Sequence, residues 1–291
     1  MLESRAVTTA LGFGIVPSTE LQDAGKMLFE ELCERASDEA NVRFNPIIAE
    51  DYRELMAELE NGRIGLAWMP PVATIELTEL RRLATCLAIP ARRGATSYHA
   101  AFVVRRGGPK NIEECKGRRA AWVQRDSAAG YLVPRIEMAA QGINVLRYFS
   151  RELFVHSHPG VIDAVASGDA DVGATYCHID GKTVRGAWTD DEGRPLRPIE
   201  PIATFGPIPN DALVASMELP TPARTGLTRW LLDLDPRARD LFERILGAHD
   251  FRVPSPDHFD ALRHSLRAAR ARGHDALPPE SRRGIRAARK S

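Results

Sequence analysis

Apolar and polar positions in the first part of the chain switch repeatedly between the period of a strand and the period of a helix. Buried-strand patterns cover residues 8–16, 42–48 and 64–68, and helical patterns cover residues 21–35 and 52–60. Strands that alternate with helices in this way are typical of βαβ units, in which the strands lie parallel. The pattern predicts an open α/β sheet, with a ligand site beyond the carboxyl ends of its strands.

A second set of alternating segments follows an extended stretch at 98–105. Strand patterns cover 119–123, 153–156 and 171–176, and helical patterns begin at Ser127 and at Pro159. Extended segments at 202–209 and 212–216 then precede a pair of helices within 227–246.

The returning segments predict an α/β fold of two lobes, each a mostly parallel sheet flanked by helices, joined by a hinge of two strands. Lobe I is expected to comprise residues 1–100 and 207–262, and lobe II residues 101–206. Hinged lobes of this kind close on a ligand held in the cleft between them.

Composition excludes several classes of protein. The 291 residues include 39 Lys and Arg and 39 Asp and Glu, so the chain has no net charge and lacks the basic excess of a nucleic-acid-binding protein. With 44% hydrophobic and 27% charged residues, it is expected to fold rather than remain disordered. Its four cysteines form no CxxC pair, which argues against a zinc ribbon or a disulfide framework.

The sequence shows no transmembrane segment, because its longest charge-free run, residues 6–19, is too short to cross a bilayer. Arg5 is the one basic residue before the apolar run that we assign to the first strand. A secretory leader begins with a basic segment and ends at a cleavage site before the folded part, so no such leader is recognised. We expect a cytoplasmic protein as the sequence stands, and a periplasmic or extracytoplasmic one if its amino terminus is truncated.

A series of short patches, in order along about two thirds of the chain, resembles the phosphate, phosphite and phosphonate substrate-binding proteins of ABC transporters. The patches are Gly14-Ile15-Val16-Pro17, Gly65-Leu66-Ala67-Trp68, Ser97-Tyr98, Gly117 to Trp122, Ser127 to Pro134, Ser157-His158, Gly168 to Tyr176 and Ile208 to Asp211. The resemblance implies a type II periplasmic-binding-protein fold. It also implies capture of a small anionic ligand of the phosphonate, phosphate or carboxylate type, delivered to a permease or reported to a sensor.

Candidate ligand-binding residues follow from these patches and from their chemistry. They are Ser18, Trp68, Tyr98, Ser127, Ala128, Ala129, Gly130, Tyr131, Ser157, His158 and Tyr176. The helix that begins after Ser127 offers unpaired N–H groups to an anion, and His158 can donate to an anionic oxygen. The alternatives are ordinary ones: Ser127 as a helix cap, His158 as a surface or capping residue, and the two tyrosines Tyr98 and Tyr176 as packing residues.

Two positions depart from the family pattern. Phosphonate binders usually carry further hydroxyls after the first serine of the helix-opening patch, whereas this chain has Ala128 and Ala129. Fewer donors favour a monoanion, such as a carboxylate or sulfonate, over a dianionic phosphonate. Arg125, just before the helix, is a candidate for compensating charge.

An enzyme on the same fold is the alternative function, because a fold alone does not separate capture from turnover. The enzyme would be a lyase or dehydratase acting on a small anionic metabolite, with His158, Tyr98, Tyr176 and Asp171 as candidates for proton transfer. Asp171 can equally pair at the start of its strand. We favour binding over catalysis and expect no cofactor, no metal and no nucleic-acid partner, because no nucleotide loop, nucleophile elbow or metal-ligand spacing occurs.

The carboxyl end differs from the body in charge. Residues 263–291 contain nine basic and two acidic side chains, and no apolar stripe follows Pro278-Pro279. We expect a basic tail that is partly disordered, with an acidic membrane surface, nucleic acid or a protein as alternative contacts.

Overall fold

A computed structural model describes residues 10–17, 22–190 and 192–273. The chain divides into two compact units. The first comprises the chain up to Thr96 together with Asn210–Asp257, and the second comprises Ser97–Pro209 together with the chain from His258 onward.

Each unit is built on a sheet flanked by helices. The strands are β1 (Leu11–Ile15), β2 (Phe44–Ile48), β3 (Ile64–Met69), β4 (Ala84–Pro90), β5 (Ser97–Arg105), β6 (Arg119–Trp122), β7 (Arg151–Phe154), β8 (Val172–Asp180), β9 (Thr183–Gly186), β10 (Ile199–Pro209), β11 (Ala212–Ser216) and β12 (Phe251–Arg252). The helices are α1 (Asp23–Ala40), α2 (Tyr52–Glu60), α3 (Pro71–Ile75), α4 (Val133–Ala140), α5 (His158–Ser167), α6 (Thr221–Leu232), α7 (Pro236–Leu246) and α8 (Asp260–Ala271).

Three short turns of other helix types complete the elements of the described residues. A π-helical turn, Glu76–Leu80, continues α3, and another, Ala128–Leu132, leads directly into α4. One 3-10 turn covers Glu113–Cys115. The residues from 128 to 140 therefore form one continuous helical segment.

The first unit has a six-stranded sheet in the order β12-β4-β11-β3-β1-β2. Strand β1 pairs parallel with β2 and β3, as the βαβ pattern predicts, while β11 pairs antiparallel with both β3 and β4. Gly12 and Gly14 permit this packing, since a Cβ on Gly12 would lie 2.3 Å from Ile47 and a Cβ on Gly14 would lie 2.4 Å from Leu55. Buried residues such as Phe13 and Phe29 form the core between sheet and helices.

The second unit has the strand order β10-β5-β8-β6-β7, with β9 paired to β8. Strands β6, β7 and β8 run parallel, whereas β5 is antiparallel to both β8 and β10. Its core lies between the sheet and α5, with Val161, Val165 and Ala121 among the buried residues.

Both sheets are mixed and flanked by helices. Strands β1, β2, β3 and β4 run in one direction in the first sheet, and β6, β7, β8 and β10 do so in the second, as predicted for mostly parallel sheets. Direct parallel pairing is confined to the βαβ strands. The antiparallel part comes from the long strands β5 and β10, where the chain enters and leaves the second unit, and from β11, which runs back through the first sheet.

The unit boundaries also differ from the predicted domains. The chain passes between units at Thr96/Ser97, at Pro209/Asn210 and a third time at Asp257/His258, because α8 packs against α4 and β10 of the second unit. Residues 263–271, assigned to the basic tail, are thus helical, with Leu262 and Ala269 buried. The rest of the predicted tail, from 274 onward, lies outside the described residues.

Two observations concern only the residues that the structure describes. None of the helices there is long and apolar enough to cross a membrane. Within the same residues, no three His, Cys, Asp or Glu side chains are grouped so that they could hold a metal ion.

Candidate functional site

The carboxyl edge of the second unit's sheet collects most of the predicted site residues. Because β6, β7 and β8 are parallel, the segments that follow β6 and β7 emerge at the same edge, beside the second half of β8. Ser127 follows β6, Ser157 follows β7, and Tyr176 lies in that half of β8. The helical segment after Ser127 contacts both β8 and β5.

Ser127 caps the first of the two helices that begin at this edge. Its Oγ accepts a hydrogen bond from the Gly130 N–H at 3.1 Å. A Cβ on Gly130 would lie 2.4 Å from Val123 Cγ2 and 2.7 Å from Ser127 Oγ, so this close cap requires glycine. Because a hydroxyl that accepts one bond still carries its proton, Ser127 can also donate to a ligand.

Ser157 repeats the same arrangement on α5. Its Oγ accepts from the Gly160 N–H at 3.0 Å, and a Cβ on Gly160 would lie 2.9 Å from that oxygen. His156 has a positive φ of 61°, which turns the chain between β7 and the helix. The edge therefore presents two Ser-x-x-Gly caps. The first is followed by the N–H groups of Ala128 and Ala129 and the second by that of His158, because Pro159 has no N–H and each cap already satisfies its glycine.

His158 stands at the first position of α5, partly buried. Its Nδ1 lies 2.9 Å from the hydroxyl of Thr175, a fully buried residue, and its ring meets Tyr176 edge to face at 4.9 Å between centroids. Burial lowers the pKa of His158 to about 4, so the imidazole is neutral near pH 7. A neutral ring has one donor and one acceptor nitrogen, and the Thr175 contact determines which role remains for Nε2.

Tyr176 and Tyr98 lie on the same face of neighbouring strands. Tyr176 pairs with Ala100 of β5, and Tyr98 is two positions from Ala100, so alternation places both phenols on one side of the sheet. His178, two positions after Tyr176, shares this face, and its ring lies 6.0 Å from that of Tyr176. Both tyrosines are partly buried.

Two predicted aromatic residues are packing residues instead. Tyr131 is 1% exposed, and its ring contacts Trp122 and Phe154, each at 5.4 Å. Trp68 is buried in the first unit, where its ring meets Phe251 and its side chain hydrogen-bonds the carboxyl group of Asp211. Large aromatic rings at these two positions complete the cores of this chain.

Asp171 lies at the opposite, amino edge of the sheet, so it is wrongly placed among the candidates for proton transfer. Its carboxylate accepts from the backbone N–H and the guanidinium of Arg119, at 2.8 to 3.0 Å. The side-chain hydrogen bond from Arg119 lowers the pKa of Asp171. Ser18 lies outside the described residues.

The small residues Ala128 and Ala129 are 9% and 2% exposed, as the first two residues of their helical segment. Arg125, close before them, places its guanidinium over the Phe154 ring at 4.7 Å and makes a side-chain hydrogen bond with Tyr131. Its charge is therefore next to the first cap.

Sequence reasoning missed two polar residues near this edge. Thr175 orients His158, but a threonine within a β-rich run carries no distinguishing signal. Glu137 on α4 accepts the N–H of Gly206 at 2.8 Å, and burial raises the pKa of Glu137 to about 7. Its signal was available, because a carboxylate among Val133, Ile136 and Met138 is unusual for a buried helix face.

Several solved structures share the fold. A Xanthomonas citri protein solved with ATP superposes with a TM-score of 0.72 at 22% identity, over 91% of this chain and 99% of its own. A Prochlorococcus marinus protein in complex with methylphosphonate superposes with a TM-score of 0.63 at 17% identity, over 89% of this chain and 98% of its own. A binding-protein component of an ABC phosphonate transporter from Pseudomonas aeruginosa superposes with a TM-score of 0.62 at 20% identity, over 90% of this chain and 88% of its own.

No curated protein sequence matches the chain significantly. The family model described as the ABC transporter, phosphonate, periplasmic substrate-binding protein matches residues 13–259, most of the chain. This confirms the predicted family, the two-lobed periplasmic-binding-protein fold and the preference for binding over catalysis. The family is periplasmic, which does not support the cytoplasmic expectation and fits its alternative. The chain belongs to the periplasmic substrate-binding proteins of ABC phosphonate transporters.

Proposed function

We propose that the chain captures a small oxyanion of the phosphonate, phosphate or carboxylate type, and that the second unit contributes the carboxyl edge of its sheet to the binding site. The observation that carries the proposal is the pair of Ser-x-x-Gly caps, Ser127 to Gly130 and Ser157 to Gly160, at one sheet edge. Helix starts of this kind provide N–H groups and a positive dipole end to an anion.

Neutral groups supply the donors at this edge. The hydroxyls of Ser127 and Ser157 can each donate, and His158 is neutral near pH 7 because of its burial. Ala128 and Ala129 contribute only backbone N–H groups. With Arg125 as the adjacent cation, this donor set favours an anion of low charge or one whose second charge Arg125 balances.

The proposed ligand class is supported by what the related structures contain. The Prochlorococcus protein is in complex with methylphosphonate, and the Xanthomonas protein is bound to ATP. A phosphorus oxyanion is common to both. On this proposal the chain works outside the cytoplasm and delivers its ligand to an ABC permease.

Titration calorimetry on the purified full chain tests the proposal with methylphosphonate, inorganic phosphate and acetate, together with phosphorus NMR of the recovered ligand. We expect one oxyanion to bind stoichiometrically and to be recovered unchanged. Ser127→Ala and His158→Ala should each weaken binding by roughly 10- to 150-fold, since a hydrogen bond to a charged group contributes about 1.5 to 3 kcal/mol.

Two matched variants control for indirect effects. Ser127→Thr keeps both the cap acceptor and the hydroxyl donor, so its affinity should stay close to that of the parent protein. Ser150→Ala removes an exposed hydroxyl just before β7, at the opposite edge, and should change nothing. Unchanged affinity in both Ser127→Ala and His158→Ala would refute the site assignment.

A further inference from the structure

A pocket of about 330 Å³ lies at the amino edge of the second unit's sheet. Arg105 ends β5, Arg118 precedes β6, and Asp171 precedes β8, so the pocket is at the opposite edge from the two serine caps. The turn Gly107 to Pro109 and the residues Glu114 and Ala170 complete its lining. Neither the family match nor the proposed function uses this pocket.

The carboxylates that line the pocket are already engaged. Asp171 accepts three hydrogen bonds from Arg119. Glu114 accepts from the Lys110 N–H at 3.0 Å and, more weakly, from the side chain of Asn111 at 3.5 Å. Arg119 therefore balances the charge of Asp171, whereas the donors to Glu114 are neutral and leave one negative charge in the lining, against the two arginines.

The two arginines in the lining are not engaged in this way. Arg105 and Arg118 form no ion pair within the described residues, and both are exposed. The guanidinium of Arg105 lies beside Gly168, where a Cβ would be 3.5 Å from Nη1. The Arg105 side chain therefore lies next to the end of α5, where Gly168 has a φ of 87°.

Backbone geometry adds a second contribution. Gly107 has a φ of 83°, and nothing lies within 4 Å of a Cβ built on it, so a ligand can approach this turn closely. Two guanidiniums and an accessible glycine turn are groups that bind phosphoryl oxygens, because a guanidinium offers two parallel N–H donors to such a group. The volume exceeds that of a phosphate ion and lies at the lower end of pockets that hold small organic ligands.

We propose that this pocket is a second anion site, which binds the phosphoryl group of a small phosphorylated molecule between Arg105 and Arg118. Both side chains are exposed, so the expected dissociation constant is on the order of 1 mM. The site goes beyond the proposed function, because it is at the other edge of the sheet and shares no residue with the serine caps.

The test follows the backbone amide resonances of Gly107 and Gly108 in the full chain during titration with inorganic phosphate and, separately, with glycerol 3-phosphate. We expect saturable shifts in both titrations, with tighter binding of glycerol 3-phosphate if the pocket serves an organic phosphate and equal binding if it serves the free ion. The double variant Arg105→Gln/Arg118→Gln should weaken this binding at least about tenfold.

Arg106→Gln is the matched control, because Arg106 is exposed and adjacent but does not line the pocket, and its binding should match the parent protein. Ser127→Ala should leave the Gly107 and Gly108 titrations unchanged, which separates this site from the proposed function. Shifts that do not saturate, that chloride reproduces, or that survive in the double variant would overturn the proposal. The circular dichroism spectrum of each variant confirms that it is folded.

Discussion

The two edges of the second unit's sheet use different chemistry. At the carboxyl edge, donors are neutral: the Ser127 and Ser157 caps and a histidine that burial keeps uncharged. At the amino edge, charges dominate, with the Arg119 and Asp171 pair beside Arg105 and Arg118, which form no ion pair with any residue that the structure describes.

This difference follows from chain direction and burial. The carboxyl ends of parallel strands lead into helix starts, which supply fixed dipoles at little cost in desolvation. The amino ends follow exposed turns, where long charged side chains remain hydrated and are screened by salt. An anion held at the first edge is therefore selected by geometry, and one held at the second mainly by charge.

The largest expected effect concerns His158 and Glu137, whose pKa values burial shifts in opposite senses. The pKa of His158 is near 6.5 in the unfolded chain and about 4 in the folded chain. The unfolded chain therefore binds the proton more tightly, so His158 lowers the free energy of unfolding as pH falls from 6.5 to 4. The pKa of Glu137 is near 4.5 in the unfolded chain and about 7 in the folded chain. The folded chain binds this proton more tightly, so Glu137 lowers the free energy of unfolding as pH rises from 4.5 to 7. Each effect amounts to at most about 3 kcal/mol.

Single variants should reveal these opposing contributions. In His158→Asn, stability should rise as pH falls from about 6.5 to 4.5, because only the Glu137 contribution remains; in Glu137→Gln, stability should fall. Urea unfolding midpoints at several pH values measure both slopes. Parallel profiles in the two variants would show that these side chains are not buried as described.

Gly130→Ala tests the first cap directly. The new methyl group would meet Val123 and Ser127 Oγ at 2.4 to 2.7 Å, so overpacking should cost about 1 to 3 kcal/mol of unfolding free energy and weaken oxyanion binding. Gly160→Ala, with its nearest contact at 2.9 Å, should have a smaller effect. Thermal unfolding and calorimetry of the two variants give the ranking, and equal losses would contradict it.

Asp171→Asn tests the amino edge. The Arg119 side chain is 41% exposed, so losing this ion pair should cost only about 1 kcal/mol and leave oxyanion affinity at the carboxyl edge unchanged. Asp163→Asn is the control, since its pair with Arg197 is more exposed and should contribute almost nothing. Chemical unfolding measures both, and loss of affinity in Asp171→Asn would restore Asp171 to the functional site.

Many of the helices, strands and helix starts behind this contrast could be predicted from the sequence, because they depend on residues that are close together in the chain. Helix α2 and strand β11 match the predicted ranges. The pattern also predicts both helix starts, one from Ser127 before small residues and the other from Ser157-His158-Pro159. These features depend on periodicity and capping, which involve neighbours in the chain.

Features that depend on distant contacts were missed or misread. From residue 263 the sequence predicts a basic tail where α8 continues to Ala271. The arginines of α8 dominate its composition, and the burial of Ala269 depends on packing against α4 of the second unit. Tyr131 was assigned to the ligand because a sequence does not show that Trp122 and Phe154 enclose its ring. Strand direction in β5 and β11 likewise depends on pairing across the fold.

The smallest expected effect is a difference in salt dependence between the edges. Raising the salt concentration from about 0.05 to 0.5 M shortens the screening length to a few ångströms, which should weaken phosphate binding at Arg105 and Arg118 severalfold. Binding at the serine caps should change less, because the donors Ser127 and His158 are neutral and partly buried, and Arg125 alone is the cation that we place beside them, against two arginines in the pocket. Titrations that follow Gly107 and Gly130 amide resonances at both salt concentrations measure the two sites in one sample. Equal salt dependence at both would mean that charge, rather than the geometry of the helix starts, governs binding at the carboxyl edge as well.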